Sequence, residues 1–266
     1  VHPTLKFGPF GLGFFASTTT DIILRNSIHP IFDIDYRQDR GMILGYAHSF
    51  GGRNKKGNGS ETSVGVSLKY MNRLAIKDSY DLFGFDILSN IDSMEMDASG
   101  LSSMRQIFGY GLGNGYGVDV GIDHMIATAN SELRLAASIL DVGDTRFKRY
   151  EGDKSIPVQE MSVNAGVSWR QKFLLFDYSL NCDLHPINQP IDFGRKLHIG
   201  VEAGTPILRL MGGWNAGYLS YGLGINFWIV KLSVGMYGIE IGAKYREHRA
   251  KRAVIYLSLL DFSFDA

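Results

Sequence analysis

A two-residue period that recurs along the chain constrains its fold more than any other feature. In FLLFDYSLNCDL (173–184), Leu174, Phe176, Tyr178, Leu180, Cys182 and Leu184 share one parity, while Asp177, Ser179, Asn181 and Asp183 dominate the other. In RKLHIGVEAG (195–204), Leu197, Ile199, Val201 and Ala203 alternate with Lys196, His198, Gly200 and Glu202. In ILRLMGGWNAGY (207–218), Leu208, Leu210 and Trp214 oppose Arg209, Gly213 and Asn215. The last segment is apolar on both parities but keeps Tyr256, Leu260, Phe262 and Phe264 together. A period of two belongs to strands with one apolar and one polar face.

The glycine-rich stretch GYGLGNGYGVDVGID (109–123) obeys the same rule. A dinucleotide loop needs Gly-x-Gly-x-x-Gly opening a helix. Counting from Gly111 and Gly113, the third position is Tyr116. From Gly117 onward, Gly117, Asp119, Gly121 and Asp123 alternate with Val118, Val120, Ile122 and His124. The expectation is a wall strand, with Gly117 and Gly121 leaving room for neighbouring side chains and Asp119 and Asp123 on the polar face.

The pattern predicts an all-β chain of about fourteen strands: 4–16, 19–26, 29–37, 40–50, 62–73, 114–128, 131–144, 159–171, 173–184, 195–204, 206–216, 218–228, 230–245 and 251–264. Many reach the ~9–11 residues with which a tilted strand crosses a bilayer. Leu210 to Val230 is free of charge, but its five glycines and two asparagines suit a pair of strands better than a transmembrane helix. With 32 glycines, 7 prolines, 16 Phe and 13 Tyr, the composition fits a many-stranded protein with aromatic belts. A net charge of +0 gives no pull toward nucleic acid. The single cysteine, Cys182, allows no intrachain disulfide and reads as a small apolar-face residue.

The connections point the same way. If the last strand runs toward the periplasm, segments 74–113, 145–158, 185–194 and 246–250 fall outside, and the short turns at Ala129-Asn130, Lys172 and Thr205 fall inside. Outer-membrane barrels have this asymmetry. The basic loop GGRNKKGNGSE (51–61) is the exception, landing on the inner side. A soluble sandwich or lipid-binding barrel would show the same alternation turned inside out. The number of strands, the single charges flanked by Gly or Ser, and the aromatic-rich last strand favour the membrane.

Several blocks, in order, resemble the FadL/PorV/TraF-like bacterial outer-membrane barrels: LKFGPFGLGFFAS; GYGVDVGIDHMI followed by LRLAASILDVG; SIPVQEMSVNAGVSWR; and LHIGVEAGTPILRLMGGWNAGYLSYGLGINF. The match spans most of 1–50 and 109–264. The resemblance implies a single transmembrane antiparallel β-barrel over 1–266 in a bacterial outer membrane. It implies a non-enzymatic component of an envelope or secretion assembly, as for PorV, or a FadL-like carrier of a hydrophobic molecule. A carrier needs a continuous apolar pocket, whereas a scaffold can fill its lumen with pairs such as Glu202–Arg209, so the alternating polar faces make assembly the first expectation.

Asp119, Asp123, Asp177, Glu202 and Arg209 are expected to form a polar network inside the barrel, with Glu202 and Arg209 pairing across a hairpin. The insert 74–113 is read as a partly helical outer lid or docking element. Its apolar residues are Phe83, Phe85, Ile87, Leu88, Ile91, Met94, Leu101, Met104 and Phe108, and residues 101, 104, 107 and 108 have helical spacing. Such a set needs cover from the barrel, a lipid or a protein. Arg246, Arg249, Lys251 and Arg252 form a basic outer loop suited to lipopolysaccharide phosphates, and Arg53, Lys55 and Lys56 a basic inner loop. Asp33, Asp35 and Asp39 miss calcium-loop spacing, since Arg37 and Gln38 stand where a ligand and a glycine belong. No His-x-x-x-His or Gly-x-Ser-x-Gly motif occurs, so no metal, cofactor or catalytic set is expected. Expected partners are outer-membrane lipid, lipopolysaccharide, other envelope proteins and, for a carrier, a hydrophobic ligand, with no nucleic acid.

Overall fold

The computed structural model describes residues 4–26, 28–54, 57–81, 109–227, 230–242 and 244–259. Its strands are β1 (Thr4–Phe7), β2 (Phe10–Arg25), β3 (Ile31–Arg53), β4 (Gly59–Asp81), β5 (Gly111–Ala127), β6 (Ser131–Leu140), β7 (Phe147–Gly152), β8 (Ser162–Lys172), β9 (Asp177–Leu184), β10 (Leu197–Gly204), β11 (Leu208–Asn215), β12 (Tyr218–Phe227), β13 (Val230–Glu240) and β14 (Arg249–Leu259). They form one antiparallel sheet in sequence order, except that β7 steps off the path and pairs with β5. The all-β class and strand number match the expectation. The sheet is not a closed barrel: no ladder joins β1 to β14 among the described residues. The one helical turn among those residues is α1 (Phe193–Lys196). The partly helical insert expected within 74–113 lies mostly outside the described residues, because β4 runs on to Asp81 and β5 starts at Gly111.

Three of the departures from the expected strands have a local reason. The serine-threonine run at 17–20 lies inside β2, where Thr18 faces Gln38 and Thr19 faces Arg37. The turn is instead at Gly8-Pro9, with Gly8 at φ 57°. The charged run at 33–40 continues β3, since its charges find partners across the ladder rather than marking a turn: Asp33 meets Arg25. β7 carries RYE and KR charges that hide its pairing with the glycine-rich start of β5.

The chain divides into two compact units, and residues of β3, β4 and β5 fall in both. The first comprises Val1–Tyr46, Ser67–Asp119 and Asp141–Met161; the second comprises Ala47–Val66, Val120–Leu140 and Ser162–Ala266. In the second unit the connections are asymmetric. Short turns at 128–130, 173–176 and 205–207 close one end, and the longer segments 185–196 and 241–248 lie at the other. Gly57 lies with the short turns: a Cβ on it would stand 3.9 Å from the Ala129 Cα.

Burial is inverted relative to a water-soluble sheet. On β12, Leu219, Tyr221, Leu223, Ile225 and Phe227 are exposed, from 39% to 70%. The intervening Ser220, Gly222, Gly224 and Asn226 are more enclosed. The same parity exposes Ile199 and Val201 on β10 and Leu208 and Leu210 on β11. Charged side chains are buried instead, with Arg73 at 1% and Lys69 at 8%. An apolar core exists in the first unit, where Ile34, Tyr36, Leu74 and Ile76 pack with Phe32, Tyr110 and Leu112. At the short-turn end of the second unit, Trp169, Phe173, Phe176 and Tyr178 make an aromatic cluster with centroids 4.6–6.1 Å apart.

Candidate functional site

In the first unit, β4 places Lys69 and Arg73 four residues apart on the polar parity, so both project to one face. Lys69 Nζ lies 2.7 Å from Asp119 Oδ1 and 2.7 Å from Asp141 Oδ1. Both carboxylates have further donors. Ser67 donates to Asp119 Oδ2 at 2.9 Å, the Asp141 amide to Asp119 Oδ1 at 2.9 Å, and Thr145 to Asp141 Oδ1 at 2.8 Å. Two anions share one cation, and neutral donors satisfy the remainder, as a buried ion cluster requires. Gly117 supplies the space: a Cβ there would stand 2.5 Å from Thr145 Oγ1 and 2.8 Å from Asp141 Oδ1. Gly121 plays no such part, since its Cβ would find only ordinary contacts at 3.6–3.8 Å.

Arg73 ties three elements together. Its Nε and Nη2 donate to the two Asp39 oxygens at 2.7 and 3.0 Å, Nη1 donates to the Pro157 carbonyl at 2.8 Å, and Nη2 also donates to Gln159 Oε1 at 2.8 Å. The guanidinium lies 4.3 Å from the Phe147 ring centroid. The planar fork thus clamps β3 and segment 147–159 onto β4. Nearby, Lys154 is held protonated above its ordinary range, first by its hydrogen bond to Asp78.

In the second unit a separate row of charges crosses β8 to β11. Arg170 Nε donates to Asp177 Oδ2 at 2.9 Å, and Arg209 Nη2 reaches the same oxygen at 3.3 Å. Arg209 Nη1 donates to Glu202. The register explains this pairing, because Gly204 faces Arg209, which leaves Glu202 as its diagonal neighbour. Arg134 extends the row, 3.1 Å from Glu132 Oε1 and 3.8 Å from Asp123 Oδ2. A cavity of ≈370 Å³ opens among Glu132, Arg134, Arg170, Glu202 and Arg209.

The five expected network residues therefore fall in two clusters. Asp177, Glu202 and Arg209 meet; Asp123 pairs with Arg134; Asp119 belongs to the other unit's cluster. The basic outer loop is also redrawn. Arg246 sits in the 241–248 connection, 5.8 Å from the Trp214 centroid, whereas Arg249, Lys251 and Arg252 belong to β14 and pair with β13. The ladder continues because Arg249 closes it opposite Glu240. Of the basic inner loop, Arg53 ends β3; its side chain, with Lys55 and Lys56, lies outside the described residues. So do Phe83, Phe85, Ile87, Leu88, Ile91, Met94, Leu101, Met104 and Phe108. Asp33, Asp35 and Asp39 separate onto Arg25, Lys77 and Arg73, and no metal-binding group occurs among the described residues.

One end of the second unit carries an ordered cap. Glu240 accepts from the amides of Gly242, Glu247 and His248 at 2.7–2.8 Å and from the Tyr218 hydroxyl at 2.8 Å. The folded loop sends the Tyr245 amide to Asp192 Oδ2 at 2.8 Å. Beside it, His185 and His198 stack with centroids 4.0 Å apart. Burial, then the neighbouring His198, pushes the His185 imidazole below its ordinary value.

Lys69, Arg73, Asp141, Arg134, Arg170 and Glu240 escaped the sequence reading as site residues. The parity of Ser67, Lys69, Met71 and Arg73 was a usable signal; their partners 34 to 86 positions away were not. No family model matches the chain, and neither does any curated protein.

Proposed function

We propose that the chain is a non-enzymatic β-barrel component of a bacterial outer membrane that docks other envelope proteins. The inverted burial carries this reading. Leu219, Leu223, Ile225 and Phe227 on β12, between 39% and 70% exposed, alone forgo about 3–6 kcal/mol if left in water, since a fully buried side chain is worth about 1.5–3 kcal/mol. A whole domain is stable by only about 5–15 kcal/mol. Lipid covering this parity removes the deficit, and the aromatic cluster at 169–178 suits a headgroup boundary. Each unit also carries a cluster of paired charges on its polar parity, which suits a scaffold better than an open channel.

Two measurements test this. Washing envelopes with alkaline carbonate should leave the chain in the pellet; release into the wash would contradict membrane insertion. Extraction in mild detergent should then yield a particle well above the 29.5 kDa of the chain plus its detergent, with defined additional subunits. A lone barrel would contradict the docking role.

A further inference from the structure

The second unit contains a cavity that the ion-pair clusters do not use. It measures ≈570 Å³ and lies against the polar parity of β9 to β14. Its floor holds two glycine pairs: Gly200 faces Gly213 across β10–β11, and Gly222 faces Gly235 across β12–β13. The pairs lie in neighbouring rows, with Ser220 beside Gly213 and Met211 beside Gly222.

Glycine has two different meanings here. A Cβ at Gly213 would stand 2.8 Å from the Ile199 carbonyl oxygen, and one at Gly222 3.1 Å from that of Val234, so backbone crowding favours glycine at both. Gly200 and Gly235 have room. A Cβ at Gly200 would meet nothing nearer than 3.8 Å, and one at Gly235 nothing nearer than 3.4 Å. Gly117 differs from both kinds, because Lys69, Asp141 and Thr145 fill the space it leaves. The trough stays empty where side chains would fit.

Its walls define an occupant. Tyr237 and Tyr256 border it, with the hydroxyl residues Ser220 and Ser233 on the same parity. Among the described lining residues none is Lys or Arg, and the only carboxylate is Asp183. At its edge His198 is already hydrogen-bonded to Asn215, 2.5 Å away. Arg252 stands opposite Tyr237 on the same parity but does not line the cavity, so an anion inside would meet no lining cation, at the desolvation cost of a poorly paired charge. A floor opened by glycines beside Ser220 and Met211 accepts a flat molecule, and aromatic walls stack on one. We propose that this trough binds a flat, largely apolar, uncharged molecule that offers a hydrogen-bonding edge. The site lies within the second unit and does not depend on the docking role.

The test uses the purified full chain in amphipol and two fluorescent probes of similar ring structure. N-phenyl-1-naphthylamine is neutral, and 8-anilinonaphthalene-1-sulfonate carries a sulfonate. The expected result is saturable one-to-one binding of the neutral probe, at least tenfold tighter than the anionic one. Gly200→Leu should weaken it at least tenfold, and Gly121→Leu, on the polar parity of β5 outside the trough, should not. Heat-modifiability on a gel reports whether each variant is folded. If Gly200→Leu does not fold, Ser233→Leu fills another wall and carries the same expectation. No saturable binding by folded wild type, equal affinity for both probes, or unchanged binding in a folded trough-filling variant would each overturn the proposal.

Discussion

Replacing Lys69 with methionine isolates the energetics of the first unit's charge cluster. Methionine keeps the length of the side chain and removes its charge. The Lys69 side chain is 11% exposed, that of Asp119 17% and that of Asp141 6%, so little water can take over the cation's role. Two carboxylates, each 2.7 Å from the ammonium, are left facing one another. Removing one partner of a buried ion pair costs about 3–5 kcal/mol, and sharing between two anions puts Lys69→Met toward the upper end. The loss should be partly reversed by Asp141→Asn in the same chain, recovering about 1–3 kcal/mol, because one of the stranded charges is gone while its Thr145 hydrogen bond can remain. In wild type, Asp141→Asn alone should destabilise. The assay is urea unfolding in detergent, followed by tryptophan fluorescence, with the slope checked for constancy. A Lys69→Met cost below about 1 kcal/mol, or strict additivity of the two substitutions, would refute the shared-cation arrangement.

Three further outcomes follow from the geometry. Arg73→Lys keeps the charge but loses the fork that reaches Asp39, Pro157 and Gln159 together, so segment 147–159 should become at least several-fold more sensitive to limited proteolysis. Glu240→Ala strands the amides of Gly242, Glu247 and His248, and trypsin should then cut after Arg246 much faster than in wild type. His185 has its folded pKa below the unfolded value of about 6.5. The unfolded loop therefore binds the proton more readily, and the contribution of the histidine stack is complete above that pH and lost as pH falls through the folded value. Amide exchange across 185–196, corrected for intrinsic rates, should rise on acidification from pH 7.5 to 5 in wild type and respond less in His185→Phe.

Several strands of the second unit were legible because their alternation is clear. On β10 to β12 the structure exposes Ile199, Val201, Leu208, Leu210, Leu219, Leu223 and Ile225 and encloses most of the other parity, although Met211 interrupts the pattern; on β9 only Leu180 of the apolar parity is exposed. Glu202 and Arg209 could be paired from sequence since a short hairpin fixes their register. Long-range partners leave no such trace. Nothing local to Arg73 marks Asp39 or the Pro157 carbonyl as its acceptors, nor marks Lys69 as the cation between Asp119 and Asp141. The early strands were cut in the wrong places because polar residues there do not mean turns: Thr18, Gln38 and Arg37 sit in the middle of a continuous β2–β3 ladder. Gly121 was credited with the role that only Gly117 has, since spacing alone cannot show which glycine has a neighbour above it.

The most direct measurement of lipid contact along this sheet is a spin-label scan of β12. Cys182 is the sole cysteine, so a Cys182→Ser background accepts single labels at Leu219, Leu223 and Ile225 on one parity and at Ser220 and Asn226 on the other. In bilayers, labels at 219, 223 and 225 should collide with dissolved oxygen and be shielded from an aqueous nickel chelate. Labels at 220 and 226 should show the reverse. Nickel accessibility at 219, 223 and 225, or the loss of the two-residue alternation, would contradict a lipid-covered face.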